Sequence, residues 1–286
     1  MNQKISEALI SSCITDYHSK NLEKFEAIGS NHIADKKIVI VGIARDIEEN
    51  LDKFRGLVAI FKEKTKECYS FLYENDSKDK TVDKLKRWAD EDCTFKFKSE
   101  TRDTEDLRLS VSDDRTENLA YARNQCVQWV KDNHADADYV IVIDPDFRDY
   151  YAPGLVNGLG FLYSQGWDAM AGCSYLYKHI GTHEGKVLTD EPQFTGYDCW
   201  AYRHTDWLDG HRSGIMFWFY YYVLPVGTNP HKVLSAFGGS CAYKCKDYIS
   251  GEYKGGDCEH VTFHQSLYEN NPDFQLYVNP SQVFIV

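Results

Sequence analysis

The sequence predicts an α/β fold: a Rossmann-like, mixed but mostly parallel sheet flanked by helices, with a helical appendage at the N-terminus. Two observations carry this. The runs Ile38-Val39-Ile40-Val41 and Tyr139-Val140-Ile141-Val142-Ile143 are apolar at every position, as strands buried on both faces are. Between them, strand-like and helix-like stretches alternate, a pattern that calls for parallel strands joined by crossover helices. At 286 residues with 43% hydrophobic content, the chain can build one large domain around a sizeable core.

Taken in order, residues 1–30 read as one or two amphipathic helices, with Ile5, Ala8, Leu9 and Cys13 at helical spacing. The first strand is Lys37–Ala44, followed by a helix from about Glu48 to Lys64. A second strand, Glu67–Tyr73, leads through Glu74-Asn75-Asp76-Ser77 to a helix over Val82–Ala89, and Thr94–Phe97 is a short third strand. Residues 98–114 are polar and read as a loop. Asp114 with Glu117 resembles a capping box, and the helix behind it buries Leu119, Ala122, Cys126, Val127 and Val130. The strand ending at Asp144 follows. Beyond Asp149 the chain is less regular, aromatic and Gly-rich from Gly166 to Gly227, with a last helix over Asp257–Tyr268. The expected division is an appendage over 1–30 and one domain over 31–286, with a nucleotide-binding half (31–149) and an acceptor-binding half (150–286).

A net charge of −12 argues against a nucleic-acid surface, which needs clustered Lys and Arg. Nine cysteines, an odd number without a CxxC pair, fit a reducing compartment such as the cytoplasm. The N-terminus carries no apolar signal-peptide core. The longest apolar run, Ile215–Val226, is too short to span a bilayer, so no transmembrane segment is expected.

The chemistry centres on Asp144-Pro145-Asp146. Ligands of open α/β sheets bind beyond the carboxyl ends of the strands. Two carboxylates placed there can hold a hard divalent cation, Mn2+ or Mg2+, leaving its other positions to water and phosphate oxygens. The same tripeptide also suits a turn and a helix cap. Tyr73–Thr81 offers polar groups at a neighbouring strand end, and is equally a good loop and N-cap. Arg123 lies near the apolar face of its helix and needs a carboxylate or a phosphate as partner. The cluster Gly255–His264 supplies further candidates. In a helix starting near Asp257, that residue shares a face with His260 and His264. A histidine there could complete the coordination of a metal held by Asp146, and Asp257 or Glu259 could serve as general base. Either histidine alone reads equally as a satisfied polar residue. Finally, Cys241-x3-Cys245-x14-His260-x3-His264 falls within zinc-site spacing.

Together these segments resemble the GT-A glycosyltransferases, and in pattern the fungal capsule-associated mannosyltransferase family. The resemblance is carried in order by Ala44-Arg45-Asp46, Tyr73-Glu74-Asn75-Asp76-Ser77-x-Asp79-x-Thr81, Arg115-x3-Leu119-Ala120-x2-Arg123-Asn124, Asp144-x-Asp146, Tyr197-Asp198-Cys199-Trp200-Ala201-Tyr202-Arg203, Phe237-Gly238-Gly239-Ser240-Cys241 and Asp257-Cys258-Glu259-His260. It implies transfer of a sugar from a GDP- or UDP-sugar, GDP-mannose among the candidates, to a glycan, glycoprotein or glycolipid acceptor, with Mn2+ or Mg2+. It places Ala44, Arg45, Asp46 and Glu74 at the nucleotide, Arg115, Arg123 and Asp144 at the donor, and Asp144 with Asp146 on the metal. In an inverting enzyme Asp257 or Glu259 takes the acceptor proton; in a retaining one it orients the acceptor. The rings of Trp200–Trp207 and Trp218–Tyr222 serve acceptor stacking or the core.

Two rival readings remain at this point. A nucleotidyltransferase on a related sheet would carry a Gly-rich, basic loop after the first strand, where this chain has Gly42-Ile43-Ala44-Arg45-Asp46. A carbohydrate-binding protein with a structural zinc would keep the fold without turnover.

Overall fold

The computed structural model describes residues 15–104, 112–178, 182–183, 186–187, 193–208, 219 and 221–286. The expected helical positions Ile5, Ala8, Leu9 and Cys13, and Trp218, lie outside these residues.

Helix α1 (Asp16–Ile33) starts at Thr15, whose hydroxyl accepts the His18 N–H, and runs past the boundary expected at residue 30. Then come β1 (Lys37–Ala44), α2 (Leu51–Lys64), β2 (Glu67–Asn75), α3 (Thr81–Glu91) and β3 (Phe95–Glu100). Helix α4 (Asp113–His134) leads into β4 (Tyr139–Ile143). Its cap is Ser112, which accepts the Arg115 N–H, rather than Asp114, so the helix begins earlier than the Asp114–Glu117 pattern indicates. The second half contains β5 (Asp149–Tyr150), α5 (Ala152–Gln165), β6 (Ala169–Lys178), β7 (Thr182–His183), β8 (Lys186–Val187), β9 (Gln193–Gly196), β10 (His231–Val233), β11 (Ser240–Lys244), α6 (Cys245–Tyr248), α7 (Glu259–Asn270) and β12 (Leu276–Ile285).

The main sheet runs β10-β12-β6-β11-β4-β1-β2-β3, with β5 on β12 and β9 on β6; β7 and β8 pair with each other. Strands β3, β2, β1 and β4 are parallel. Strand β11 is antiparallel to both β4 and β6, and β6 pairs in parallel with β12, so the sheet is mixed. The chain builds outward from β1 through β2 to β3, then returns to place β4 on the other side of β1. That reversal opens a crevice at the carboxyl ends of β1 and β4, the usual ligand position in such sheets.

Both faces of the parallel strands are covered. Val39, Val41, Val140 and Val142 face a core shared with Ala122, Cys126, Val127 and Val130 of α4 and with Val261 and Phe263 of α7. Ile38, Ile40, Ile141 and Ile143 face the opposite core, with Phe54, Val58 and Phe61 of α2 and Leu155, Val156 and Leu159 of α5. The alternation of strand side chains explains why neither run shows a polar face.

Helix α5 was not legible in the sequence. Its segment, APGLVNGLGFLYSQ, is buried almost throughout and so lacks amphipathic contrast, and its glycines resemble a loop. The glycines serve close packing instead. Phe25 of α1 stacks on Phe161 at 3.6 Å, and a Cβ at Gly160 would collide with the carbonyl oxygen of Phe25. Gly160→Val should therefore cost about 1–3 kcal/mol or more, the range for overpacking a closed interface. Chemical denaturation checks this; a midpoint unchanged from wild type would show that the helices can separate freely.

Candidate active site at the carboxyl edge of the sheet

The end of β4 is held in place by its neighbours. The Asp144 N–H donates to Gly239 O at 3.0 Å, tying it to the start of β11. Asn50, at the start of α2, donates to the carbonyls of Asp146 and Phe147 at 3.0 and 2.7 Å, and Phe147 is buried. The loop is thereby pinned on both sides, with Asp144 half-buried and Asp146 exposed at its tip.

Behind Asp144 lies a carboxylate–guanidinium–carboxylate bridge. Arg123, 3% exposed, donates through Nη2 to Asp144 Oδ1 at 2.8 Å and through Nε to Glu259 Oε1 at 2.9 Å. Its position on α4 is set by the same face that buries Ala122 and Cys126. Burial works against its charge, but Asp144 and Glu259 outweigh it and hold the guanidinium well above its ordinary value. Burial pushes the Asp144 carboxyl up to about 6, with Asp146 and Glu259 adding to the rise and Arg123 opposing it.

The nucleotide candidates meet the same edge. Ala44 pairs with Glu74 in register, and Val41 with Val142, so the ends of β1, β2 and β4 are level. Their side chains are bound up in the loop framework. Arg45 donates to the hydroxyl and carbonyl oxygens of Thr104 at 3.1 and 3.0 Å. The Asp46 N–H donates to the Ser77 hydroxyl at 3.0 Å, and its carboxylate accepts the Lys78 N–H at 2.6 Å. Glu74 is buried and accepts the Ser77 N–H at 2.9 Å and the Ser99 hydroxyl. Arg115 lies over the Trp200 ring at 5.1 Å, joining α4 to the segment that follows β9.

The Gly255–His264 cluster is arranged differently from its expected helical face. Helix α7 starts at Glu259 with Cys258 as its cap, so Asp257 stands before the helix. The Asp257 carboxylate takes two bonds from Arg203 Nη2, at 2.9 and 3.1 Å. Arg203, with a side chain 0% exposed, also donates to the carbonyls of Trp200, Tyr202 and Trp207. Glu259, 4% exposed, belongs to Arg123. His264, expected as a metal ligand, has Nδ1 against the Ser235 hydroxyl at 2.9 Å and Nε2 against the Tyr243 hydroxyl at 2.8 Å, so both nitrogens are committed inside the core. His260 stacks on Phe237 at 3.7 Å, and burial, with Arg123 and His264, holds it well below its ordinary value as a neutral ring. Cys245 lies at the far end of β11 from Cys241, with its thiol against the carbonyls of His134 and Ala135. Among the described residues no three His, Cys, Asp or Glu side chains gather as a metal cluster, which removes support for the zinc spacing.

One carboxylate, Asp198, stands in a segment that carries the resemblance but has no role assigned from the sequence. Strand β9 runs back along β6, pairing Gly196 with Tyr175, and the Tyr197 N–H donates to Ser174 O at 2.9 Å. This return delivers Asp198 to the edge where Asp144 stands. Asp198 adopts a left-handed backbone, φ 70°, and accepts the Gly238 N–H at 2.8 Å; Gly238 is itself left-handed at φ 58°. An aromatic cleft between Tyr197, Tyr202, Phe219, Tyr222 and Phe237 opens beside it. Burial pushes the Asp198 carboxyl up to about 7, with Asp144 and Glu259 adding to the rise against the N–H donors of Gly238 and Ala201. The signal was the Tyr197–Arg203 segment, whose aspartate has no feature in the sequence to set it apart from the other acidic residues.

No protein-family model matches the chain, and no curated protein matches it. Solved structures do. GalNAc-T7, in a structure with UDP, GalNAc and Mn2+, superposes with a TM-score of 0.50 at 12% identity, over 87% of this chain and 43% of that one. The mannosyltransferase PcManGT from Pyrobaculum calidifontis, in complex with GDP-Man and Mn2+, gives 0.49 at 12% identity, over 99% and 67%. Residues 1–349 of TarS from S. aureus give 0.47 at 12% identity, over 87% and 59%. The chain thus spans between about two fifths and two thirds of these proteins' lengths. With its sheet order and the GalNAc-T7 superposition, the chain has the GT-A fold, a mixed α/β sheet flanked by helices.

Proposed function

We propose that the chain is a metal-dependent glycosyltransferase, moving a sugar from a nucleotide-diphosphate sugar to a hydroxyl of a glycan, glycoprotein or glycolipid. The observation that carries this is the half-buried Asp144 beside the exposed Asp146, at the crevice between β1 and β4. Their oxygens are the hard donors that Mn2+ or Mg2+ prefers, and the exposed Asp146 leaves coordination positions for phosphate and water. When bound, the cation would stabilise the charge that develops on the departing nucleoside diphosphate. Arg123 holds Asp144 in one orientation from behind, and so acts on the site through that carboxylate rather than through phosphate. The ends of β1 and β2, with Ala44, Arg45, Asp46 and Glu74, form the floor for the nucleoside. A GDP- or UDP-sugar is the donor class, and the fungal capsule resemblance favours GDP-mannose. No helix of the described residues is long and apolar enough to cross a membrane. Cytoplasmic residence belongs to this reading through the scattered, odd-numbered cysteines.

The test is a thermal-shift panel of UDP-, GDP-, dTDP- and CMP-sugars with and without Mn2+, on wild type and on Asp146→Asn. A ligand at a hundred times its Kd adds about 2.7 kcal/mol of stability. One nucleotide should stabilise wild type only with Mn2+, and Asp146→Asn should lose that gain. If no nucleotide stabilises wild type with or without metal, the transferase reading is wrong.

A further inference from the structure

Resting on that reading, we propose that Asp198 is the catalytic residue on the acceptor side: it receives the hydrogen bond and then the proton of the attacking hydroxyl. The two carboxylates expected in that role are both committed. Asp257 is held by Arg203, and Glu259 is enclosed with Arg123. Each of these carboxylates has an oxygen already occupied by a buried guanidinium N–H, and removing one partner of a buried ion pair is costly.

Asp198 differs on each count. No arginine or lysine pairs with it among the described residues; it accepts the backbone N–H of Gly238. A carboxylate offers about four lone-pair sites, so this bond leaves room for a substrate hydroxyl. It is half-buried and lines the aromatic cleft. Two consecutive glycines link it to the Asp144 loop: the Gly238 N–H donates to Asp198, and the Gly239 carbonyl accepts the Asp144 N–H. The left-handed backbone, held by the Gly238 contact and the Tyr197–Ser174 bond, fixes the side chain's direction.

The step balances as a direct displacement. The acceptor oxygen forms a bond to the anomeric carbon while the bond from that carbon to the phosphate oxygen breaks. The electron pair leaves with the nucleoside diphosphate, and the acceptor proton passes to Asp198 and then to water. A single displacement of this kind inverts the anomeric configuration.

Asp198→Asn is the variant of choice. Asparagine tolerates the left-handed backbone and can still accept the Gly238 N–H. The full chain is assayed with Mn2+ and GDP-mannose, UDP-glucose or UDP-GlcNAc, with water or methyl hexosides as acceptors, following nucleoside diphosphate release. Donor Kd is measured by calorimetry, and the product anomer by NMR. The expected result is a donor Kd within twofold of wild type, a kcat lower by about 10²–10⁴-fold, and an inverted product from wild type. Retained configuration overturns the assignment whatever the variant does. So does an Asp198→Asn kcat within tenfold of wild type, or an equal kcat loss confined to folded Asp257→Asn or Glu259→Gln. Failure of wild type to bind any UDP-, GDP-, dTDP- or CMP-sugar sinks the transferase reading and this assignment together; donor binding with a failed variant prediction sinks this assignment alone.

Discussion

Arg123→Met should lower stability by about 3–5 kcal/mol, the cost of removing one partner from a buried ion pair. The bridge explains the size. Glu259, at 4% exposure, would be left buried with no cation beside it. Asp144, at 35% exposure, would contribute less, because water reaches it. Arg123→Lys should recover only part, since an ammonium is a single point of charge and cannot present two separate N–H edges to two carboxylates. Adding Glu259→Gln to Arg123→Met should recover more, by removing the orphaned carboxylate. Urea unfolding of the three variants at pH 7 measures this. A loss below about 1 kcal/mol for Arg123→Met would mean that the bridge contributes little and that Arg123 is free to serve phosphate instead. The same variant should weaken Mn2+-dependent donor binding, because Asp144 loses the contact that orients it.

Arg203→Met is the second large effect, and it is local. One buried guanidinium closes the irregular segment that follows β9 by satisfying three carbonyls, those of Trp200, Tyr202 and Trp207, and then anchors it to Asp257. Each carbonyl left buried without a donor costs about 1–3 kcal/mol. The cheaper outcome is for residues 199–208 to open to water. Limited chymotrypsin digestion should then cut at Trp200 and Trp207 many-fold faster than in wild type, while the parallel strands remain folded by circular dichroism. Unchanged cleavage would show that the Arg203↔Ser235 bridge, where the Arg203 N–H donates to Ser235 O at 2.8 Å, holds the segment without the side chain.

These two arginines also mark where reading from sequence stopped. That Arg123 needed a buried anionic partner followed from its place between Ala122 and Cys126 on the apolar face of α4. Which partner could not follow, because Glu259 lies 136 residues away and the chain holds 44 acidic residues. The same limit applies to Arg203 and Asp257, 54 residues apart. His264 read equally as a ligand or as a polar core residue, and only its contacts with Ser235 and Tyr243 put it in the core.

By itself the sequence determined the parallel half of the sheet. Strands β1 and β4 hold the unbroken apolar runs Ile38–Val41 and Tyr139–Ile143, β2 is a β-forming stretch with local punctuation, and the position of Asp144-Pro145-Asp146 at a strand's carboxyl end follows from that alone. The helices with one apolar face, α2, α3 and α4, were legible for the same reason: their periodicity is a local property of the chain. Tertiary structure decided the rest. Helix α5 is covered on nearly every side, so burial erased the contrast that would have announced it. The antiparallel insertion of β11 and the return of β9 along β6 are pairings between distant segments, and they bring Gly238 and Asp198 to the edge prepared by β4. Strand runs and helical faces are written in neighbouring residues, whereas the partner of a buried charge is set by which distant segments the sheet brings together.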